Sequence, residues 1–70
     1  MGLIFIRSIE LPDKVKGVTV TDPNGDFNVY INTKLSQSEQ MKTANHEIRH
    51  IELNHFYNLD PVVINELEAG

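Results

Sequence analysis

The 70-residue chain contains no cysteine, which excludes disulfides, iron–sulfur clusters, thiolate zinc sites and a thiol nucleophile. Any metal must be held by histidine and carboxylate. Positive charge is also scarce: six Lys and Arg stand against ten Asp and Glu, giving a net charge of −4. That balance opposes docking on a polyphosphate or an anionic membrane face, so neither nucleic acid nor membrane is an expected partner. Long apolar runs are missing too. After Gly2 only Leu3, Ile4, Phe5 and Ile6 are consecutive, too few for a signal-peptide core or a membrane span. Ile6 also stands where a myristoylation motif needs a hydroxyl. The expectation is a soluble, cytoplasmic protein.

With 40% apolar residues and this length, there is room for one core, and residues 1–70 are expected to form a single domain. A chain of this size buries only about 60% of its unfolded surface, so its stability margin is thin unless something staples it. A bound metal is the available staple.

Composition changes near Leu35, from β-branched and turn residues before it to helix formers after it. This predicts an α+β fold with a small antiparallel sheet first. Leu3 to Arg7 is a candidate strand, and Leu11-Pro12-Asp13-Lys14 a candidate break. Val18 to Thr21 and Phe27 to Asn32 both alternate apolar with polar, and between them Asp22-Pro23-Asn24-Gly25-Asp26 reads as a hairpin loop. In that hairpin Val18 and Val20 are expected to share a face with Phe27, Val29 and Ile31. Ser36 followed by Glu39 is a capping box, so a helix should start at Gln37 and run to about Asn54. Met41, Ala44, Ile48 and Ile51 form its apolar stripe. Asp60-Pro61 then supplies an N-cap and first-turn proline for a second, short helix over residues 62–68.

Inside the first helix lies His46-Glu47-Ile48-Arg49-His50, an H-E-x-x-H motif. Four residues make about 400° of rotation and 6 Å of rise, so both imidazoles project together and can grip one ion. Two neutral imidazoles and a carboxylate leave zinc a fourth position for water, whose pKa the ion lowers to about 7. Glu47, beside the ligands but not among them, is placed to act as the base that takes the proton of that water. This is the chemistry of peptide hydrolysis.

The third ligand must come from elsewhere. Glu66 and Glu68 lie on the expected second helix, and a tight antiparallel return over residues 56–59 would bring one of them back. Glu66 is favoured and Glu68 is the fallback, because about 200° separates them on a helix. His55 is a rival, but a third histidine in the metzincin register would fall at Phe56, and the glycine of that register falls at Leu53. Tyr30 and Tyr57 are read as packing residues whose hydroxyls could assist an oxyanion, and Arg49 as solvent-facing.

The run Tyr30-Ile31-Asn32 through Leu35-Ser36, then Gln40, His46-Glu47-Ile48-Arg49-His50-Ile51 and Glu66-Leu67-Glu68-Ala69 resembles the ImmA/IrrE family of metallopeptidase-like proteins, common in bacterial mobile elements and prophages. Val15 to Val20 and Asp22 to Asp26 resemble the hairpin that short phage-type members place before the active-site helix. The resemblance covers about residues 15–69. It implies a minimal zincin-like fold and a zinc-dependent endopeptidase that cleaves a helix-turn-helix repressor. His46, His50 and Glu66 would then be metal ligands and Glu47 the catalytic base. The alternative expectation is a non-catalytic, metal-stabilised protein-binding module of phage or prophage origin.

Overall fold

A computed structural model describes residues 3–54 and 62–67. The order of elements is β1 (Leu3–Ile9), β2 (Gly17–Thr21), β3 (Phe27–Asn32), α1 (Gln37–Asn54) and β4 (Val62–Asn65). Among the described residues the fold is α+β, a four-stranded mixed sheet of order β2-β3-β1-β4 with one helix.

The hairpin forms as its turn residues require. β2 and β3 pair antiparallel across the five-residue link, closed by bonds from the Asp22 amide to the Asp26 carbonyl and from the Gly25 amide to the Asp22 carbonyl, both 2.9 Å. Gly25 takes a φ of 85°, a conformation that favours a residue without Cβ. The Asp22 carboxylate accepts from the Asn24 amide at 2.7 Å, and Asp26 accepts from the Leu3 amide at 3.0 Å, which ties the loop to the start of β1.

The sheet is mixed rather than antiparallel. β1 lies between β3 and β4 and runs parallel to both. The helix is the cause: α1 carries the chain back across the sheet after β3, so the next segment starts again from the same end and must run parallel.

That next segment also corrects the expected second helix, because residues 62–65 are a strand. Val62-Val63-Ile64 is a run of β-branched side chains, which lose rotamer freedom in a helix and fit a pleated sheet. Asp60 and Pro61, read as a helix start, lie outside the described residues.

Parallel register places Ile4 beside Phe27 and Ile6 beside Val29, and these side chains meet the helix. Ile4, Ile6, Val29, Ile31, Ala44 and Ile51 form the core, with Phe27, Leu35, Ile48 and Leu67 packed against it. In β2 the expected face is reversed. Thr19 pairs with Val29 and Gly17 with Ile31, while Val18 opposes Tyr30 and Val20 opposes Asn28. Because the side-chain period is two, the valines lie on the sheet face away from α1, and Gly17, Thr19 and Thr21 face the helix.

Close approach explains the exchange. A Cβ on Gly17 would lie 3.0 Å from Thr43 Cγ2 and 3.1 Å from the Tyr30 carbonyl oxygen. The helix-facing side of β2 thus takes small and polar residues. Met41, expected in the apolar stripe, is 44% exposed. The packed face is instead turned toward β2, through half-buried Gln40, Thr43, Glu47 and Ile48 beside buried Ala44 and Ile51.

At the start of α1 the Glu39 amide donates to Ser36 Oγ at 3.2 Å. The Glu39 carboxylate is directed to Lys42 Nζ, at 3.8 Å. Among the described residues no helix is long and apolar enough to cross a membrane.

Candidate metal centre

Helical spacing brings the two imidazoles together. His46 Nε2 and His50 Nε2 are 3.0 Å apart, with ring centroids 4.5 Å apart and planes at 84°. Both side chains are exposed, on the side of α1 away from Ala44 and Ile51. A tetrahedral zinc with Zn–N of about 2.0–2.1 Å holds two nitrogens about 3.3 Å apart, close to the separation of this pair. The contact is a hydrogen bond when one ring carries its proton on Nε2. With both protons on Nδ1, the two Nε2 lone pairs are left as acceptors.

Glu47 is held separately from the histidines. Half-buried on the packed side of α1, it accepts at Oε1 a hydrogen bond of 2.9 Å from Thr19 Oγ1 on β2. Sequence reading did not single out Thr19, since its face depended on the strand register. The signal was Gly17, which marks the position where β2 must pass close under the helix.

Glu66 is not brought to the histidines. Its amide donates to the Ile6 carbonyl at 2.8 Å, continuing the β4 ladder by one residue, so its side chain falls on the same sheet face as Arg7. There Arg7 Nε donates to Glu66 Oε1 at 2.6 Å, and the Arg7 guanidinium lies 5.1 Å from the centroid of Phe5. The hydrogen bond that Arg7 donates to Glu66 is the main cause that raises the Arg7 guanidinium above its ordinary value, with burial acting against it. This pair lies on the face opposite α1.

Among the described residues no group of three His, Cys, Asp or Glu side chains is placed to hold a metal. His55, Tyr57 and Glu68 lie outside the described residues. Tyr30 is half-buried beside Arg7 on the open sheet face, across the sheet from His46. Arg49 is exposed.

A cleft of about 670 Å³ runs between α1 and the segment leading into β2, with residues 14–17 on one wall and Glu39, Lys42, Thr43, His46 and Glu47 on the other. Asn32, only 1% exposed, fixes the first wall. Its Nδ2 donates to the carbonyls of Leu11, Pro12 and Val15 at 3.2, 3.1 and 2.9 Å, and its Oδ1 accepts from the amides of Leu11 and Lys34. The Asn32 amide donates to the Lys16 carbonyl at 2.9 Å. One buried amide thus organises the loop opposite the histidine helix. The comparison of this chain with family models, curated proteins and solved structures gives no match in any of the three.

Proposed function

We propose that the chain is a zinc-dependent peptidase of the kind its ImmA/IrrE-like sequence features imply, acting in the cytoplasm on a protein substrate such as the helix-turn-helix repressor of a mobile element or prophage. The observation that carries this reading is the approach of His46 and His50 to 3.0 Å; Glu47, next to His46 in the chain, has its carboxylate bonded to Thr19 on the β2 side of the helix. His46 and His50 would hold the ion. Bound there, zinc supplies an acidified water and polarises a carbonyl.

The remaining work falls to the chain. Glu47 takes the proton of the attacking water and returns it to the leaving amine. Thr19 keeps that carboxylate aimed while its second oxygen is free to accept. β2 is an edge of the sheet, so its outer backbone groups can pair with an extended substrate laid along the cleft. With Glu66 engaged by Arg7, Glu68 is the fallback for a third protein ligand.

The test is a pair of variants assayed with a fluorescence-quenched peptide library and equilibrium dialysis of zinc. Glu47→Gln should retain zinc and lose cleavage, and His46→Ala should lose both. Cleavage by Glu47→Gln would refute the base assignment.

A second reading, a non-catalytic binding module stabilised by metal, is favoured by the Arg7–Glu66 pair, which leaves the described residues with two ligands rather than three. Under it zinc raises the melting temperature and no peptide is cut.

A further inference from the structure

Charge around the cleft runs against that of the whole chain. The sequence has four lysines in a chain of net charge −4, and three of them, Lys14, Lys16 and Lys42, line this one cleft. Lys42 is loosely paired with Glu39 at 3.8 Å. Lys14 and Lys16 have no carboxylate partner among the described residues, whereas Lys34, just outside the cleft, is bound to Asp13 at 2.6 Å. The wall that carries Lys14 and Lys16 is anchored by Asn32, so their backbone is fixed to the end of β3. Unpaired ammonium groups on a fixed wall facing a helix are complementary to carboxylates that arrive with a ligand.

We infer that the cleft selects an acidic polypeptide segment, whose carboxylates meet Lys14 and Lys16 while its backbone pairs with the outer edge of β2, which is the edge strand among the described residues. The inference rests on the reading of the His46–Glu47–His50 face as a peptide-processing site and names its substrate class. It also sets a register. Lys14 and Lys16 share the cleft with Lys42 on its opposite wall, and Lys42 precedes His46 by one helical turn, about 6 Å along the axis, which an extended peptide covers in about two residues. The acidic side chain therefore falls within two or three residues of the bond presented to Glu47.

The probes are three fluorescein-labelled twelve-residue peptides of alternating Thr with Glu, Gln or Lys. Each is titrated with the full chain in EDTA and read by fluorescence anisotropy. The Glu peptide should bind about tenfold more tightly than the Gln peptide, the gain of two exposed ion pairs. The Lys peptide should bind more weakly still, and the preference should shrink as salt screens it. The double variant Lys14→Glu/Lys16→Glu, altered only at exposed or rim positions, should abolish the preference with its melting temperature unchanged. The milder Lys14→Gln/Lys16→Gln should reduce it. Equal affinity for the three peptides, no binding of the Glu peptide, or a preference retained in both double variants would overturn the inference.

The two readings separate in the same preparation. An acidic preference that persists in His46→Ala, with no zinc-dependent cleavage in the unaltered chain, upholds the inference and removes the hydrolase. Zinc-dependent cleavage at sites without a carboxylate within about three residues, mapped by mass spectrometry, upholds the hydrolase and removes the inference.

Discussion

At the scale of single residues, the H-E-x-x-H helix was fully legible in the sequence, because the i, i+4 spacing of His46 and His50 fixes their convergence whatever surrounds them. Glu66 was not, because its position depends on whether residues 62–67 form a helix or a strand. In the strand it alternates onto the face of Arg7. Glu66→Gln should therefore leave zinc affinity within about twofold of the parent, measured by competition with a chromogenic chelator. A loss beyond about tenfold would return Glu66 to the metal. Zinc affinity should fall with acid, since protons compete for both imidazoles. Arg7 cannot contribute to that dependence. Its folded-state value is raised, so the stability it contributes is complete below the ordinary arginine range and is lost only as pH rises through the raised value. Under the proposed peptidase reading, Thr19 acts through Glu47 as a positioning residue. Thr19→Val should lower kcat about tenfold with zinc binding unchanged, and Thr19→Ser should restore it. A kcat unchanged in Thr19→Val would show that the 2.9 Å hydrogen bond does not aim the base.

At the scale of elements, the hairpin and the start of α1 follow from local chemistry: Asn24-Gly25 closes the turn and Ser36 caps the helix. What local chemistry could not supply was register. Alternation in Val18-Thr19-Val20-Thr21 shows that β2 has two unlike faces, but which face meets the helix was decided by the clearance at Gly17. Gly17→Ala should therefore destabilise the chain by about 1–3 kcal/mol, since the Tyr30 carbonyl oxygen at 3.1 Å belongs to a paired strand and yields little. Urea unfolding measures this, and Thr43→Ser, which lacks the methyl at 3.0 Å, should recover part of the loss. An unshifted midpoint for Gly17→Ala would mean that β2 and α1 are not in close contact there. β4 illustrates the opposite conflict, between a proline at a plausible helix start and three β-branched residues after it. The parallel slot beside β1 resolved it in favour of the strand, and no local pattern shows that such a slot exists.

At the scale of the whole molecule, one helix covers one face of a four-stranded sheet among the described residues, and their fully buried core side chains are few: Ile4, Ile6, Val29 and Ile31 are at 0% exposure, with Ala44 and Ile51 closing over them. Domains have stabilities of roughly 0.05–0.15 kcal/mol per residue, or about 3–10 kcal/mol for a chain of this length. Ile6→Ala, which empties a site at 0% exposure, costs about 2–5 kcal/mol, so a substantial fraction of that variant should be unfolded at 37 °C. An ion bound only by the folded chain at 100 times its Kd contributes about 2.7 kcal/mol, and in a domain of this size each kcal/mol moves Tm by about 4–8 °C. Zinc should therefore raise the Tm of the parent by about 10–20 °C and refold much of Ile6→Ala, as read by circular dichroism, with EDTA reversing both effects. His50→Ala, which removes an exposed ring and no core contact, should leave the Tm in EDTA nearly unchanged and abolish the response to zinc. The peptidase and the metal-stabilised module both require that response. A Tm unmoved by zinc, with His50→Ala indistinguishable from the parent, would leave the 3.0 Å approach of the two rings as a hydrogen bond on a helix surface.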